Sequence, residues 1–266
     1  MVSLAPTAPA PHRRLRIAMG TWVAIETSAP SAKLAHAALE AAFEAITDIE
    51  RWMHPQRTGS DIARINQSLL GTRIEIQAAT HHVLTLAQNF NRYSGGVFDP
   101  CLPVKPGRIS DIELSDDGSV VCRKSVALDL GGIAKGYAVD RAIEVLVAQG
   151  CTSGLVNAGG DLRIFGTQRE TLLLRKADGG FQPLQLHNAA LAVSDGQCAQ
   201  RPAEHQGYYL RGEHKPLQRH YAAVKARDAT TADALVKCAL LCTGPVAQRV
   251  LRECGAQSAV PCSWES

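Results

Sequence analysis

The sequence predicts an α+β fold, with mixed or antiparallel sheets and helices packed against them. Helical periodicities are separated by hairpin signals and isolated strand pairs. A doubly wound sheet would instead alternate strands and helices one for one. The 266 residues are 45% hydrophobic and 20% charged, enough for one large core that needs no disulfide staple. No internal repeat marks a solenoid or propeller. A single domain is expected over residues 15–266, after a disordered Ala/Pro-rich tail over residues 1–14.

Leu15, Ile17, Met19, Val23 and Ile25 alternate as a half-buried strand interrupted at Gly20. Ser31 caps a helix with Leu34, Ala38, Ala42, Ile46, Ile49 and Met53 along one face, and Pro55 ends it. Ser60 opens a short helix through Ile62 and Ile65. Residues 73–77 alternate as a strand, and Thr80 caps a third helix ending at Ser94-Gly95-Gly96. Pro100, Pro103 and Pro106 make a loop, and Asp116-Asp117-Gly118 a hairpin turn. Residues 126–130 read as a strand running into Gly131-Gly132, then a helix over 134–149 closed by Gly150. Strands are expected at 155–157, 162–165, 171–175, 190–194, 221–226 and 259–262, and helices at 231–242 and 245–254. Residues 195–219 are polar and weakly patterned.

Twenty-eight Lys and Arg against 25 Asp and Glu leave a net charge of +3. A nucleic-acid binder would carry a basic excess or stripe, so no such partner is expected. No apolar run approaches the roughly 18 residues of a membrane span, so no direct membrane insertion is expected. The eight cysteines lack paired-knuckle spacing and read as reduced, mostly buried thiols. Arg13-Arg14 follows the Ala/Pro stretch with no apolar core behind it. A secretory signal has the reverse order, so a cytoplasmic protein is expected.

Four segments could carry chemistry. Asp129-Leu130-Gly131-Gly132-Ile133-Ala134-Lys135-Gly136-Tyr137 delivers the chain through two glycines into a helix start with a lysine. That is either an anion site or a plain tight turn. It is neither a Walker loop nor a dinucleotide fingerprint. Asn157-Ala158-Gly159-Gly160-Asp161 is a second strand end with a glycine pair and a carboxylate, either a candidate site or a β-bulge or turn. Ser94-Gly95-Gly96-Val97-Phe98-Asp99 is a helix stop with an aromatic and an acid behind it. Asp233, in the first turn of its helix, either complements the helix dipole or holds a hard cation. Cys238 and Cys242, one helical turn apart, read as core rather than metal ligands.

The order of these segments says more than any one of them. Met19-Gly20-Thr21, Ser60-Asp61 with Asn66, Ser94 to Asp99, DLGGIAKGYAVDRA at 129–142 with Asp140, Asn157 to Asp161, and Ala232-Asp233-Ala234-Leu235 follow one another. Together they resemble the ApbE family of FAD:protein FMN transferases, over about residues 15–256. The resemblance implies an α+β flavin-binding fold, FAD as donor and Mg²⁺ as metal. It also implies an acceptor flavoprotein whose Ser or Thr hydroxyl receives FMN while AMP leaves. By motif, Met19, Val97, Phe98 and Asp99 would line the FAD site, Lys135 would face FAD, and Gly159, Gly160 and Asp161 would shape the pocket floor. Ala138, through its backbone oxygen, and Asp233 would hold the metal.

Three departures stand against the family pattern. Gln56 falls where many members carry a flavin-stacking aromatic, with Trp52 and His54 as nearby substitutes. The metal helix, Asp-Ala-x-x-Thr or Asp-Ala-Leu-Thr-Lys in the family, reads Asp233-Ala234-Leu235-Val236-Lys237, without its hydroxyl. The His-x-x-Asp-Pro segment before the last long strand is replaced by the stretch over 208–216, with His205, His214 and His220 nearby. These departures keep two alternatives open: a degenerate member that binds FAD without transfer, and an FAD pyrophosphatase.

Overall fold

The structure, a computed structural model, describes residues 11–167, 169–176, 180–195 and 221–260. The first two strands, β1 (His12–Ala18) and β2 (Thr21–Ser28), pair antiparallel around a turn at Met19-Gly20. Both turn residues sit at positive φ, 54° and 69°. The interrupted strand is thus a hairpin. It also takes in residues assigned to the tail, since Arg13 pairs with Glu26 and Arg14 with Ile25.

Helix α1 (Ala32–Met53) starts where Ser31 accepts the Leu34 N–H. It buries Ala35, Ala38, Leu39, Ala42, Phe43, Ile46 and Ile49. Helix α2 (Asp61–Gln67) is capped by Ser60. After β3 (Arg73–Glu75) comes α3 (Ala78–Tyr93), which starts two residues before Thr80. Its N-terminus is held from another helix: Asp61 Oδ2 accepts the Gln77 N–H at 2.9 Å and the Thr80 hydroxyl at 2.7 Å. Strands β4 (Ile112–Leu114) and β5 (Ser119–Cys122) complete a small sheet in the order β3-β5-β4.

Residues 126–130 form no regular strand. Leu128 makes a single bridge to Cys101, and Asn66 does the rest. Its side chain donates to the Leu128 carbonyl at 2.8 Å and accepts the Leu128 N–H at 2.6 Å, as a neighbouring strand would. The chain then enters α4 (Ala134–Ala148), as expected.

Next come β6 (Ser153–Ala158), β7 (Asp161–Gly166), β8 (Glu170–Arg175), β9 (Phe181–Leu186), β10 (Ala190–Asp195) and β11 (Tyr221–Ala226). Helix α5 (Ala229–Leu241), capped by Asp228, α6 (Gly244–Glu253) and β12 (Gln257–Ser258) end the described chain. β9 was not expected; Pro183 hides its alternation and is tolerated because, among the described residues, β9 pairs only with β8. The last strand lies two residues earlier than expected.

The main sheet runs β1-β2-β6-β7-β10-β11-β12, and every neighbouring pair is antiparallel. Helices α4 and α5 pack on one face, with α1 against α4, and this side holds the large core. The other face carries a smaller cluster, Leu162, Ile164, Leu191 and Ala223, roofed by Leu174 and Leu186 of the β8–β9 hairpin. No helix among the described residues is long and apolar enough to cross a membrane.

Candidate active site

Three turns gather at one end of the main sheet. β2 and β6 pair with Val23 opposite Ala158, and the Gly159 N–H bonds the Trp22 carbonyl at 3.2 Å. This sets the Met19-Gly20 turn beside the Gly159-Gly160 turn. Gly159 has φ +62°, and a Cβ there would lie 2.6 Å from Thr21 Oγ1. Only glycine meets both demands. Asn157 closes the turn by accepting the Gly160 N–H at 3.0 Å.

The third turn leads into α4. Asp129 Oδ1 accepts the Gly131 N–H at 3.0 Å, and α4 then starts without a side-chain cap. Gly136 lies where α4 meets α5. A Cβ there would collide with the Ala229 carbonyl and sit 2.8 Å from Asp233 Cβ. Two helices can approach this closely only across a glycine. The Gly136 N–H reaches Asp233 Oδ2 at 3.0 Å.

Four charges meet in this contact. Lys135 is paired with Asp161, which is 1% exposed. Asp233 is fully buried, and its Oδ1 accepts the Lys237 ammonium at 2.5 Å across one turn of α5. The two carboxylates influence each other directly. Burial pushes the Asp161 carboxyl up, and the Asp233 charge adds to it, while Lys135 and Lys237 pull the other way. At Asp233 burial also pushes upward, but Lys237, Lys135 and the Gly136 N–H outweigh it and hold the carboxyl below its ordinary range. Asp233 is therefore the firmly ionised member.

Of the expected site residues, Lys135, Asp161 and Asp233 come together in this cluster, with Gly159 and Gly160 next to Asp161. Phe98 is buried nearby: a Cβ on Gly132 would stand 3.8 Å from its ring and 3.7 Å from Lys237 Cε. Val97 and Met19 are half-buried against the core. Asp99 turns back into its own loop, accepting the Cys101 N–H at 2.9 Å. Ala138 is buried on α4. Asp140, part of the central motif, caps α5 instead of facing the cluster. It accepts the Ala229 N–H, the Thr230 N–H and the Thr230 hydroxyl at 2.9, 2.8 and 2.5 Å, and pairs with Arg163. Trp52 lies in a separate cleft of about 410 Å³ with Ile49, Gln77 and Tyr137. His54 is exposed and accepts the Gln56 N–H. His205, His214 and His220 lie outside the described residues.

The expected Mg²⁺ does not fit the residues at its place. Both Asp233 oxygens are engaged, one by an ammonium. Lys237, absent from the expected site residues, completes the cluster; it falls on the lysine of the Asp-Ala-Leu-Thr-Lys form, and Val236 on that form's threonine.

The fold is that of flavin transferases. The apo crystal structure of the Pseudomonas stutzeri flavinyl transferase ApbE superposes with a TM-score of 0.81 at 16% identity, covering 98% of this chain and 94% of that one. The ApbE protein of Thermotoga maritima gives 0.75 at 23% identity, with 93% of each chain covered. The flavin transferase ApbE of Vibrio cholerae gives 0.75 at 16%, covering 96% and 99%. The sequence model of the ApbE family matches residues 19–104 and 103–257, and the chain belongs to that family. The FAD:protein FMN transferase of Treponema pallidum is 26% identical over 188 residues, a match that takes in 58% of this chain and about half (52%) of that relative.

Proposed function

We propose that this chain transfers FMN from FAD to a Ser or Thr hydroxyl of an acceptor flavoprotein. The observation that carries the reading is the charge cluster: in an ApbE fold, the half-buried Lys135, the buried Lys237 and two buried carboxylates meet at a glycine turn that opens α4. Backbone without side chains lets a diphosphate approach, and the helix start favours its charge. Lys135, Gly159, Gly160 and Asp161 would border the diphosphate, with Met19, Val97, Phe98 and Asp99 toward the flavin nucleotide. Asp161 would orient Lys135, and Asp233 would hold the start of α4 through the Gly136 N–H.

In the proposed step the acceptor hydroxyl oxygen attacks the flavin-side phosphorus. The P–O bond to the bridging oxygen breaks, its electron pair leaves with AMP, and the hydroxyl proton passes to solvent. The product is a phosphodiester between FMN and the acceptor. Positive charge near the bridging oxygen stabilises the developing charge on AMP. Mg²⁺, which the resemblance brings, is left out of this scheme because its carboxylate is already paired. We also propose a cytoplasmic location; among the described residues five of the six cysteines are buried, as reduced core thiols in a reducing compartment would be.

The test mixes the full chain with FAD and the acceptor of an established transferase, following covalent flavin fluorescence and AMP. Transfer is expected, with Asp233→Asn lowering the rate at least about 100-fold, since the helix start and the lysine both lose their anchor. AMP and free FMN without labelled acceptor would make the chain a pyrophosphatase. FAD binding without turnover, beside an active control, would make it a binder only.

A further inference from the structure

The family's metal helix carries a threonine one turn, or one residue less, after its aspartate; this chain carries Lys237 at the first position and Val236 at the second, so the lysine of the Asp-Ala-Leu-Thr-Lys form is kept and the hydroxyl beside it is lost. The side chain of Lys237 is not turned to solvent. The residue is 9% exposed, its stem runs against the glycine turn beside Gly132, and its ammonium ends 2.5 Å from Asp233 Oδ1. We propose that Lys237 is a built-in cation: it takes the position at Asp233 that the family gives to a divalent ion, so this chain binds the diphosphate of FAD without a metal. The proposal rests on the flavin reading above for the identity of the ligand, but not for the state of Asp233.

Three observations support it. Space comes first, since the ammonium occupies the Oδ1 side and the Gly136 N–H the Oδ2 side, so each Asp233 oxygen already accepts a hydrogen bond. Charge comes second. Asp161 and Asp233 are matched by Lys135 and Lys237, so the buried cluster is neutral as built. A divalent ion bound to Asp233 would share that carboxylate with an ammonium at hydrogen-bond distance, an arrangement that low dielectric penalises heavily. Reach comes third. Lys237 Cε would be only 3.7 Å from a Cβ on Gly132, which puts the lysine behind the glycine backbone that a diphosphate would approach. Unlike a bound ion, this cation cannot be removed by chelation.

The experiment measures FAD affinity of the full chain by flavin fluorescence, in EDTA and in Mg²⁺, and Mn²⁺ binding by EPR. The wild type should bind FAD equally, within about twofold, under both conditions. Lys237→Thr, which restores the hydroxyl, should bind FAD weakly in EDTA and at least tenfold more tightly in Mg²⁺, and should bind Mn²⁺ where the wild type does not. Lys237→Met, similar in length but uncharged, should lose affinity in EDTA. A wild type whose FAD affinity rises tenfold with Mg²⁺ overturns the proposal, and needs no variant to fold. If the chain binds no FAD at all, the flavin reading fails. The Mn²⁺ comparison then decides alone, with equal Mn²⁺ binding by wild type and Lys237→Thr overturning the role of Lys237.

Discussion

Asp161 and Asp233 share one buried cluster yet respond oppositely to it. The Asp161 carboxyl is raised by burial and by Asp233, so between the ordinary carboxylate value, about 3.9, and its native value the folded chain binds the extra proton. Its contribution to stability is therefore full at low pH and lost as pH rises through that native value. Asp233 is held low, so its contribution is full above the ordinary value and lost as pH falls through its native one. Urea unfolding measured from about pH 3 upward should show stability declining at pH values above the ordinary carboxylate range. Asp161→Asn should abolish that decline and leave the acid loss below it. At this scale the sequence told chemistry from structure only in part. Asp61, Asp140 and Asp233 all sit in motifs, yet the first two satisfy helix N-termini and only the third meets a lysine in the cluster. A carboxylate near a helix start looks the same in either role until its neighbours in space are known.

The elements were legible wherever a local signal set them. Ser31 and Ser60 start α1 and α2 as expected, and Gly150, at φ +82°, follows the end of α4. Where the signal came from a distant residue, expectation failed. Asp61 moves the start of α3 ahead of Thr80, and Asn66 replaces the strand partner that residues 126–130 would need. Asp140 exerts the same control on α5, for it is 5% exposed and collects three donors from the first turn as well as Arg163. Asp140→Ala should cost about 3–5 kcal/mol, because it leaves a half-buried guanidinium and helix N–H groups without their charge. Denaturant titration would measure the loss, and faster hydrogen exchange at Ala229 and Thr230 would trace it to α5.

The whole molecule is a two-faced sheet with unequal cores. The helical face holds α1, α4 and α5, while the opposite face holds a small cluster under the β8–β9 hairpin. Small satellite clusters open locally at lower cost than the main core. Leu174→Ala should therefore cost about 2–3 kcal/mol of hairpin stability. Exchange in β8 and β9 should quicken while the amides of α4 and α5 keep their protection; equal loss in both would show a single cooperative unit. The sequence disclosed the α+β class, but not the pairing that sets β2 against β6, because strand order depends on contacts over a hundred residues apart. Among the described residues that order places β1 and β12 at the edges of the sheet, and each is blunted. β12 is only two residues long, and β1 carries Arg13, Arg14 and Arg16 along seven residues. A short edge gives an incoming strand little to pair with, and an arginine-rich one repels its own copy. The chain thus displays Leu15, Ile17 and Trp22 to water while resisting edge-to-edge stacking into fibrils.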